Sequence, residues 1–368
     1  MGRQDLTILG GGPAGLALAW YAHRAGIPFT VFERAAEPGG LCRTFDWDGH
    51  RYDAGAHRFH DRDADITWDV RGLLGADLAT VEAPSQILTR GRFIDFPPTP
   101  LNWLLGQGLG EAGRVAFDLW RARRHPRPER TFEDHALNRY GRRLGKPLLL
   151  DYSEKLWGLP GAQLAPEVAT GRLSGLSLGA LVLEVLRPKR KRAHLDGSFL
   201  YPRHGYGAIA ARMAAALPPT RLELGCEITG LARAGRRIEG VVRADGSAQP
   251  VTGRVVSTLP LSLLVRFLGD ALPPDVHQAT ARLRFRHVRI VYLRLAMPRV
   301  STNATLYLPD PALCVSRVSE PKNRSAAMAP PDETGLVVEV PCSTGDALHA
   351  LSDHELAARV VTELDGTA

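Results

Sequence analysis

Short apolar runs alternate with glycine-rich turns through the first sixty residues of the chain. The run Leu6 to Leu9 predicts a buried strand, and Leu16 to His23 predicts the helix that follows it. Pro28 to Phe32 predicts a second strand. A strand, a helix and a second strand in this order form a βαβ unit, so the chain is expected to begin as an α/β fold.

Beyond this unit the apolar pattern changes. Alternating apolar positions between Gln86 and Phe96 indicate antiparallel strands, and the run Asp353 to Leu364 indicates a helix. The remaining predicted elements are helices at about Gly110–Arg124, Phe132–Trp157 and Ala208–Leu217, a hairpin at Ile228–Val242 that turns near Gly235, and strands at Phe285–Leu295, Leu306–Leu308, Leu313–Val318 and Leu336–Val340. Helices followed by antiparallel strands are typical of an α+β domain.

The loop between the first strand and the first helix carries a candidate nucleotide site, Gly10-Gly11-Gly12-Pro13-Ala14-Gly15. In a dinucleotide-binding fold the first glycine of G-x-G-x-x-G makes the tight turn. The second lets a pyrophosphate approach the backbone, and the third lets helix and strand pack closely. The anion then lies at the free N–H groups of the helix N-terminus. Glu33 ends the second strand, where a carboxylate can accept hydrogen bonds from an adenosine ribose.

A second glycine turn, Gly39-Gly40-Leu41-Cys42-Arg43-Thr44, follows shortly after Glu33. A chain that folds back over a pyrophosphate needs glycine there, because only glycine allows so close a backbone approach. Arg43 can neutralise a phosphate bidentately. A nicotinamide site has no need of this second turn, so the pair of turns points to a different dinucleotide.

Together the two turns resemble the FAD-binding N-terminus of the superfamily that contains flavin amine oxidases, protoporphyrinogen oxidases and phytoene desaturases. The stretch Tyr52-Asp53-Ala54-Gly55-Ala56-His57-Arg58-Phe59 is similar to the one these enzymes lay beside the flavin ring. Gly55 to His60 resembles most the branch with UDP-galactopyranose mutase. The resemblance implies FAD as cofactor, with Gly55, Ala56 and His57 close to it and Ile228 near its adenosine half.

Later segments extend this resemblance. Asp151 to Arg172 is similar to a tryptophan-glycine segment of the same branch, and Tyr201 to Gly207 to the family's return to its flavin domain. Arg317 to Asn323 and Val340 to Ser343 are shorter matches. The family normally closes with a glycine-aspartate or glycine-arginine turn at the flavin, and no such motif occurs here. A truncated chain, a partner that supplies the piece, and weaker flavin binding are the alternatives.

The expected fold class is therefore α/β, with a discontinuous Rossmann-like FAD-binding domain and an inserted α+β substrate-binding domain. We assign residues 1–62 and 195–284 to the FAD-binding domain, and residues 63–194 and 285–350 to the substrate-binding domain. Residues 351–368 are assigned to the start of a truncated C-terminal segment. A chain of 368 residues exceeds what one domain usually holds, which fits two.

Charge constrains the partners. The formal net charge of +7 suits an anionic small-molecule substrate or an anionic surface, and the basic residues show no nucleic-acid motif. Leu173 to Leu186 predicts an apolar helix that precedes the basic cluster Arg187 to Arg192. Residues 173–192 either make a weak contact with anionic lipid or form a core-facing helix and a solvated loop. The oligomeric state is left open.

The cysteines and the N-terminus bear on location. The four cysteines, Cys42, Cys226, Cys314 and Cys342, are scattered without metal-binding spacing, which favours reduced thiols. The first strand begins almost at Met1, which leaves no room for a signal peptide, and no apolar run is long enough to span a bilayer. We expect a cytoplasmic protein.

The catalytic residues are predicted from the stretch beside the flavin. His57 is the first candidate and Arg58 the second. Arg58 either binds a substrate anion or pairs with Asp53 or Asp61. His57 and His60 have the spacing of two metal ligands, but no third ligand follows at suitable spacing, so no metal is predicted.

Three functions remain open at this stage. The first is an FAD-dependent oxidoreductase that removes a hydride from an unidentified substrate. The second is an isomerase like UDP-galactopyranose mutase, which acts on a sugar nucleotide without net redox change. The third is a non-catalytic or incomplete flavoprotein subunit, which the missing closing motif would explain.

Overall fold

The computed structural model describes residues 5–89, 91–96, 109–168 and 198–367. Its helices occupy separate stretches of these ranges. They are α1 (Pro13–Arg24), α2 (Ala64–Leu74), α3 (Leu109–Arg124), α4 (Phe132–Gly145), α5 (Asp151–Trp157), α6 (Ala208–Ala215), α7 (Leu261–Leu268), α8 (Pro274–Ala281), α9 (Ala347–Ala350) and α10 (Asp353–Asp365).

The strands of the described residues are short except for two of nine residues each. They are β1 (Leu6–Leu9), β2 (Phe29–Phe32), β3 (Thr44–Trp47), β4 (His50–Asp53), β5 (Leu78–Glu82), β6 (Ser85–Thr89), β7 (Arg92–Phe96), β8 (Ser198–Pro202), β9 (Leu222–Glu223), β10 (Ile228–Ala234), β11 (Arg237–Arg243), β12 (Ala248–Pro250), β13 (Arg254–Ser257), β14 (His287–Leu295), β15 (Thr305–Tyr307), β16 (Arg317–Ser319) and β17 (Thr334–Cys342).

The chain divides into two compact units. Unit 1 comprises residues 1–46, 61–79 and 202–284, and unit 2 comprises residues 47–60, 80–201 and 285–368. Each unit is built from separated stretches of sequence. The discontinuity arises because neighbouring strands of each sheet come from distant parts of the chain.

Unit 1 is built on a parallel four-stranded sheet in the order β13-β1-β2-β9. The strands are short and apolar because parallel sheets are covered on both faces. Helices α1 and α2 pack against α6, and an antiparallel sheet β10-β11-β12 completes the unit. Leu9, Phe32 and Ile228 meet in one hydrophobic cluster beneath the carboxyl ends of β1 and β2. This is a Rossmann-like arrangement.

Unit 2 is built on a six-stranded sheet in the order β14-β17-β16-β15-β6-β7. All neighbours run antiparallel except β15 and β6, which are parallel. Helix α10 supplies Leu356 and Val360 to the core, where they pack with Val338 and Val340 of β17. Together the two units confirm the predicted class, an α/β Rossmann-like part combined with an α+β part.

The units differ from the predicted domains over residues 47–60, 63–79, 198–201 and 351–368. Residues 198–201 lie in unit 2, where Leu200 exchanges backbone hydrogen bonds with Phe59. Residues 61–79 belong to unit 1, because α2 buries Val70 and Leu74 and packs against α6 of that unit. Residues 47–60 belong to unit 2, because β4 and the following turn pack against β17. Residues 353–365 form a complete helix of unit 2.

The predicted helix Phe132–Trp157 is wrong as one element. Gly141 adopts φ 66° and ψ 176°, which breaks the helical path inside α4. Lys146–Leu150 then forms a π-helical turn that contains Pro147, which has no backbone N–H to donate. The chain resumes as α5. The apolar periodicity spans all three parts, so it conceals the interruptions.

Two predictions concern membranes. The proposed lipid-contacting segment 173–192 lies outside the described residues. Among the helices that the structure describes, none combines the length and the apolar character needed to cross a bilayer.

A buried hydrogen bond in unit 2 makes the first prediction. Tyr201 donates to Asp53 Oδ2 at 2.5 Å, and both residues are at most 2% exposed. Tyr201→Phe removes a donor from a buried carboxylate, which should cost about 1–3 kcal/mol. We expect the melting temperature, measured by circular dichroism, to fall by several degrees.

Tyr21→Phe is the matched control, because Tyr21 also donates to a carboxylate, Asp69, but on an exposed helix surface. Its loss should change stability by less than about 0.5 kcal/mol. Equal shifts in the two variants would show that burial of the Asp53 pair is not what stabilises unit 2.

Candidate functional site

The first glycine turn of unit 1 follows directly from the end of β1. Gly10 has φ 102°, a conformation that favours glycine, and its N–H donates to Phe32 O of the neighbouring strand at 2.8 Å. Gly12 caps α1, with Pro13 as the first helical residue. A Cβ on Gly15 would collide with the carbonyl oxygen of Gly10, so helix and turn pack as the motif requires.

Glu33 binds this turn to the end of β2. Its Oε2 accepts the N–H of Gly11 at 2.7 Å, and its Oε1 accepts the N–H of Ala35 at 2.9 Å. An ionised carboxylate has about four acceptor positions. Glu33 therefore orients the turn and retains acceptor capacity for a further donor.

The second glycine turn lies against the first. Gly39 donates its N–H to Gly11 O at 2.8 Å, and Gly39 and Gly40 both have positive φ angles. A Cβ on Gly40 would lie 3.1 Å from Gly12 Cα. Arg43 Nε donates to Gly40 O at 3.3 Å. The sequence predicted a close backbone approach of this turn to a pyrophosphate, and the structure shows in addition that the two turns contact each other.

Two further glycines, Gly205 and Gly207, pack beside the second turn, although the sequence alone did not indicate a role for them. We call these two residues, together with the two glycine turns, the cradle. Gly207 donates its N–H to Thr44 Oγ1 at 2.8 Å, and a Cβ on Gly205 would collide with the Thr44 side chain. Gly205 and Gly207 thus let the chain that returns to unit 1 pack on the second turn. The signal that could have revealed them is the spacing of two glycines by one residue just after β8.

Ile228, the last predicted cofactor-contacting residue of unit 1, begins β10. Its side chain is buried in the hydrophobic cluster with Leu9 and Phe32. The side chain therefore supports the floor of the turn. Any cofactor contact at this position is expected from the backbone.

The segment Gly55 to Phe59 lies in unit 2 and is held on both sides of His57. Ala56 donates its N–H to Glu339 Oε1 at 2.8 Å. Phe59 exchanges two backbone hydrogen bonds with Leu200, at 3.1 and 2.8 Å. His57 is half-buried between these two anchors. Gly55 has φ 136°, which fits the glycine in the predicted motif.

The strand β4 that leads into this segment is anchored by a buried histidine. His50 lies between Tyr292 Oη, 3.0 Å from Nδ1, and Glu333 Oε2, 2.7 Å from Nε2. Tyr52 stacks on Tyr292 with ring centroids 4.4 Å apart. Burial raises the pKa of Tyr292 to about 12, so its hydroxyl stays protonated at neutral pH.

An ion pair on the six-stranded sheet holds the other side of Ala56. Arg317 and Glu339 are directly paired in the register of β16 and β17. The Arg317 guanidinium donates to Glu339 through Nε at 2.8 Å and through Nη2 at 2.7 Å. Burial lowers the pKa of Arg317, but Glu339 outweighs it and the net direction is upward. Glu339 therefore compensates Arg317 and positions the turn at the same time.

Arg58 lies over the same sheet with neutral partners. Its Nη2 donates to Ser85 Oγ and Thr305 Oγ1, each at 2.9 Å, and its guanidinium lies over the Phe199 ring at 4.8 Å. Burial lowers the pKa of Arg58 below its ordinary value, and the neighbouring Arg324 and Arg317 charges lower it further. The structure thus gives Arg58 hydroxyl partners and positive neighbours, rather than Asp53 or Asp61.

These residues share one face of the sheet. Cross-strand register partners point to the same side, and the register pairs Ser85 with Thr305, Tyr307 with Arg317, and Arg317 with Glu339. We call this set, together with Arg58, the polar sheet face. The sequence analysis named Arg58 and Arg317 but missed Glu339, whose signal is a single acid inside the valine-rich β17.

Trp157 and Tyr201 lie in the two later segments that resemble the family. Trp157 is 43% exposed, whereas Tyr201 is buried and its hydroxyl serves Asp53. Burial and the Asp53 charge raise the pKa of Tyr201 well above its ordinary value. Within the part of the chain that the structure covers, no group of three or more His, Cys, Asp or Glu side chains is arranged to hold a metal ion.

Comparison with known proteins places the chain in a family. Residues 13–366 match the family of flavin containing amine oxidoreductases, so the chain belongs to that family and FAD is its cofactor. A mouse FAD-dependent oxidoreductase domain-containing protein 2 is 35% identical over 69 residues, 19% of this chain. The mitochondrial protoporphyrinogen oxidase of Nicotiana tabacum is 26% identical over 117 residues, 31% of this chain. These matches span 10% and 23% of the relatives' lengths.

Solved structures share the fold across nearly the whole chain. Reduced UDP-galactopyranose mutase has a TM-score of 0.82 at 20% identity, covering 96% of this chain and 76% of the other. Putrescine oxidase bound to putrescine has a TM-score of 0.66 at 19% identity, covering 98% and 80%. At these identities the likeness shows the fold alone.

The cradle of unit 1 fits the nucleotide part of FAD. A Cβ on Gly12 would have only Gly40 Cα within 4 Å, at 4.0 Å, so the space beside the turn is open. The N-terminus of α1 supplies N–H donors for an anion there. The Glu33 carboxylate is held by two backbone bonds at the end of β2. These features agree with the cofactor of the family.

The Arg317–Glu339 pair makes the second prediction. Because Glu339 is only 4% exposed, Glu339→Gln leaves the Arg317 charge without a counter-ion, at a cost of about 3 kcal/mol. The double variant Arg317→Leu, Glu339→Gln should cost less than the sum of the singles. We expect a coupling energy of about 2 kcal/mol in a double-mutant cycle from denaturant unfolding.

The pair Arg212–Asp77 serves as the control, since its side chains are 57% and 32% exposed. Its coupling energy should stay below about 0.5 kcal/mol. Additive effects at Arg317 and Glu339 would contradict the claim that Glu339 compensates Arg317.

Proposed function

We propose that this protein is an FAD-dependent oxidoreductase that oxidises an anionic small molecule. The observation that carries the substrate class is Arg58, a half-buried cation on the polar sheet face with two hydroxyl partners and two positive neighbours. A guanidinium in this setting favours a carboxylate or phosphate ligand, because an anion supplies the charge that burial makes costly to leave alone.

In this proposal the cradle of unit 1 holds the cofactor. Gly12 and Gly40 allow the pyrophosphate to approach the backbone, and the α1 N-terminus binds its charge. The Glu33 carboxylate accepts hydrogen bonds from the ribose hydroxyls, at the acceptor positions that the N–H groups of Gly11 and Ala35 do not occupy. Arg43 lies beside the second turn and neutralises a phosphate.

The residues of unit 2 orient the substrate. When bound, FAD accepts a hydride from the substrate. Arg58 binds the anionic group of the substrate and fixes its position along the sheet. Glu339 holds the Ala56 N–H, and this keeps the backbone of His57 in one conformation. His57 is the candidate to exchange a proton with the substrate, since histidine is the side chain that most often acts as a general acid or base.

Cofactor binding gives the third prediction. Gly12→Ala should fold normally, because a Cβ fits there, yet it fills space that the pyrophosphate needs. We expect at least about a tenfold rise in the FAD dissociation constant. Glu33→Gln removes a charge-assisted acceptor and should raise it about ten- to a hundredfold. Titration with FAD, monitored by flavin fluorescence, measures the dissociation constants of both variants.

Two control variants make this test specific. Gly15→Ala should instead lower stability, because its Cβ meets Gly10 O. Glu37→Gln removes an exposed carboxylate four residues after Glu33 and should leave the FAD dissociation constant within about twofold. Wild-type affinity in both Gly12→Ala and Glu33→Gln would place the nucleotide site elsewhere.

The substrate class gives the fourth prediction. Under anaerobic conditions, candidate substrates that carry a carboxylate or phosphate should reduce the bound flavin, whereas neutral or cationic amines should not. The absorbance of the flavin measures its reduction. Arg58→Met should slow reduction by the anionic substrate about tenfold or more at low concentration, with FAD affinity unchanged. Arg294→Met, a surface variant of the same sheet, is the control. Rapid reduction by a cationic amine would contradict an anionic substrate.

A second candidate function is an isomerase like UDP-galactopyranose mutase. The specific observation in its favour is the TM-score of 0.82 to that enzyme in its reduced form, together with the resemblance at Gly55 to His60. Dithionite-reduced protein incubated with UDP-galactopyranose separates the two candidates. Furanose product would support the isomerase, and its absence together with flavin reduction by another anion would support the oxidoreductase.

A further inference from the structure

One helical hairpin of unit 2 carries a large excess of basic side chains. Residues 109–146, which contain α3 and α4, hold ten basic and five acidic side chains, a formal charge of +5. The whole chain of 368 residues carries +7. The hairpin is thus more strongly basic per residue than the chain as a whole, and this points to an anionic partner for it.

Two large aromatic side chains on α3 project into solvent. Phe117 is 62% exposed and Trp120 is 60% exposed. Their rings stack on each other with centroids 5.8 Å apart. The opposite face of the helix buries Val115 and packs against α4. Adjacent exposed rings of this size are unusual on a surface without a partner.

Arginines flank the aromatic pair on the same side of the helix. Arg121 and Arg124 lie four residues after Phe117 and Trp120, so each is the neighbour of one ring on the helix surface. Both arginines are exposed, and neither forms an ion pair with another residue that the structure describes. We call these four residues the α3 surface.

The loop after α3 extends the basic region. Arg127 and Arg130 of this loop are exposed, as is Arg123 in the last turn of α3. The acid of this loop, Glu129, is bound by His135 at 3.0 Å and by Asn138 at 3.3 Å. The His135 hydrogen bond, followed by that of Asn138, holds the pKa of Glu129 below its ordinary value. Glu129 is thus occupied on the hairpin itself.

We propose that the α3 surface docks on an anionic lipid bilayer. Trp and Phe side chains insert at the depth of the lipid headgroups, and flanking arginines bind lipid phosphates bidentately. A helix that presents aromatic rings between guanidinium groups, with its other face packed on the protein, fits this geometry. In this proposal the α3 surface lies on the bilayer and does not span it.

Two other occupants fit the α3 surface less well. A symmetric contact between two copies would bring the same +5 region against itself, and like charges would oppose it. Single-stranded nucleic acid would need ring faces free for stacking on bases, whereas Phe117 and Trp120 already cover one face of each other. A bilayer needs neither symmetry nor free ring faces.

The test is co-sedimentation of the full chain, loaded with FAD, with two kinds of vesicle. One is phosphatidylcholine with about a third phosphatidylserine, and the other is phosphatidylcholine alone. We expect binding to the anionic vesicles at least about tenfold tighter, and weaker binding at high salt. Arg121→Gln with Arg124→Gln should reduce anionic binding about 25-fold, about fivefold for each arginine. Phe117→Ser with Trp120→Ser should reduce it about tenfold or more.

Trp68→Ser is the matched control, because Trp68 is 78% exposed on α2 of unit 1, outside the basic hairpin. It should bind vesicles like the wild type. Equal binding to both vesicles, or unchanged binding by both double variants, would overturn the proposal. Dimerisation or tighter oligonucleotide binding that the α3 variants abolish, without vesicle binding, would overturn it too. The double variants change only exposed side chains, so their melting temperatures should match the wild type.

Discussion

The close approach of two glycine turns is the constraint on which the proposed nucleotide site depends. Gly40 approaches Gly12 closely because it has no side chain, since a Cβ on Gly40 would lie 3.1 Å from Gly12 Cα, and the Gly39 N–H donates to Gly11 O beside this contact. Glu33 then ties the first turn to the end of β2 through two backbone N–H groups. Glu33, which is expected to accept hydrogen bonds from the ribose, thus also holds the first glycine turn in place. One residue therefore contributes both to the shape of the cradle and to its expected contacts with the ligand.

In unit 2 the main constraint is different, because charged side chains that lie on its sheet need partners that compensate their charge. Arg317 and Glu339 neutralise each other, and the same carboxylate fixes Ala56 beside His57. Asp53 is satisfied by Tyr201, and Glu320 by Thr334 and the backbone of Val300 and Ser301. Arg58 instead has hydroxyl partners and cationic neighbours. The proposal of an anionic substrate rests on that imbalance, in a family whose cofactor is FAD.

Local signals explain what the sequence could predict. Some features depend on residues within about forty positions of one another, so a local sequence pattern predicts them. These are the glycine turns, Glu33 and the β1-α1-β2 unit. Glu339 and His50 act through partners hundreds of positions away, which no local pattern reports. The break at Gly141 was missed because the apolar period runs through it, and α2 was assigned to the other domain because its packing on α6 is a long-range contact. Gly205 and Gly207 were visible as residues, but their role requires knowing that Thr44 lies beside them.

Hydrogen–deuterium exchange with and without FAD tests the central claim most directly, because it reports backbone protection residue by residue. If the two turns of unit 1 form the nucleotide cradle, peptides covering residues 10–16 and 39–44 should exchange at least about tenfold more slowly with FAD bound. Peptides of the exposed hairpin turn near Gly235 should be unchanged. Bound FAD without protection at either glycine turn, or with protection confined to other segments, would contradict the account.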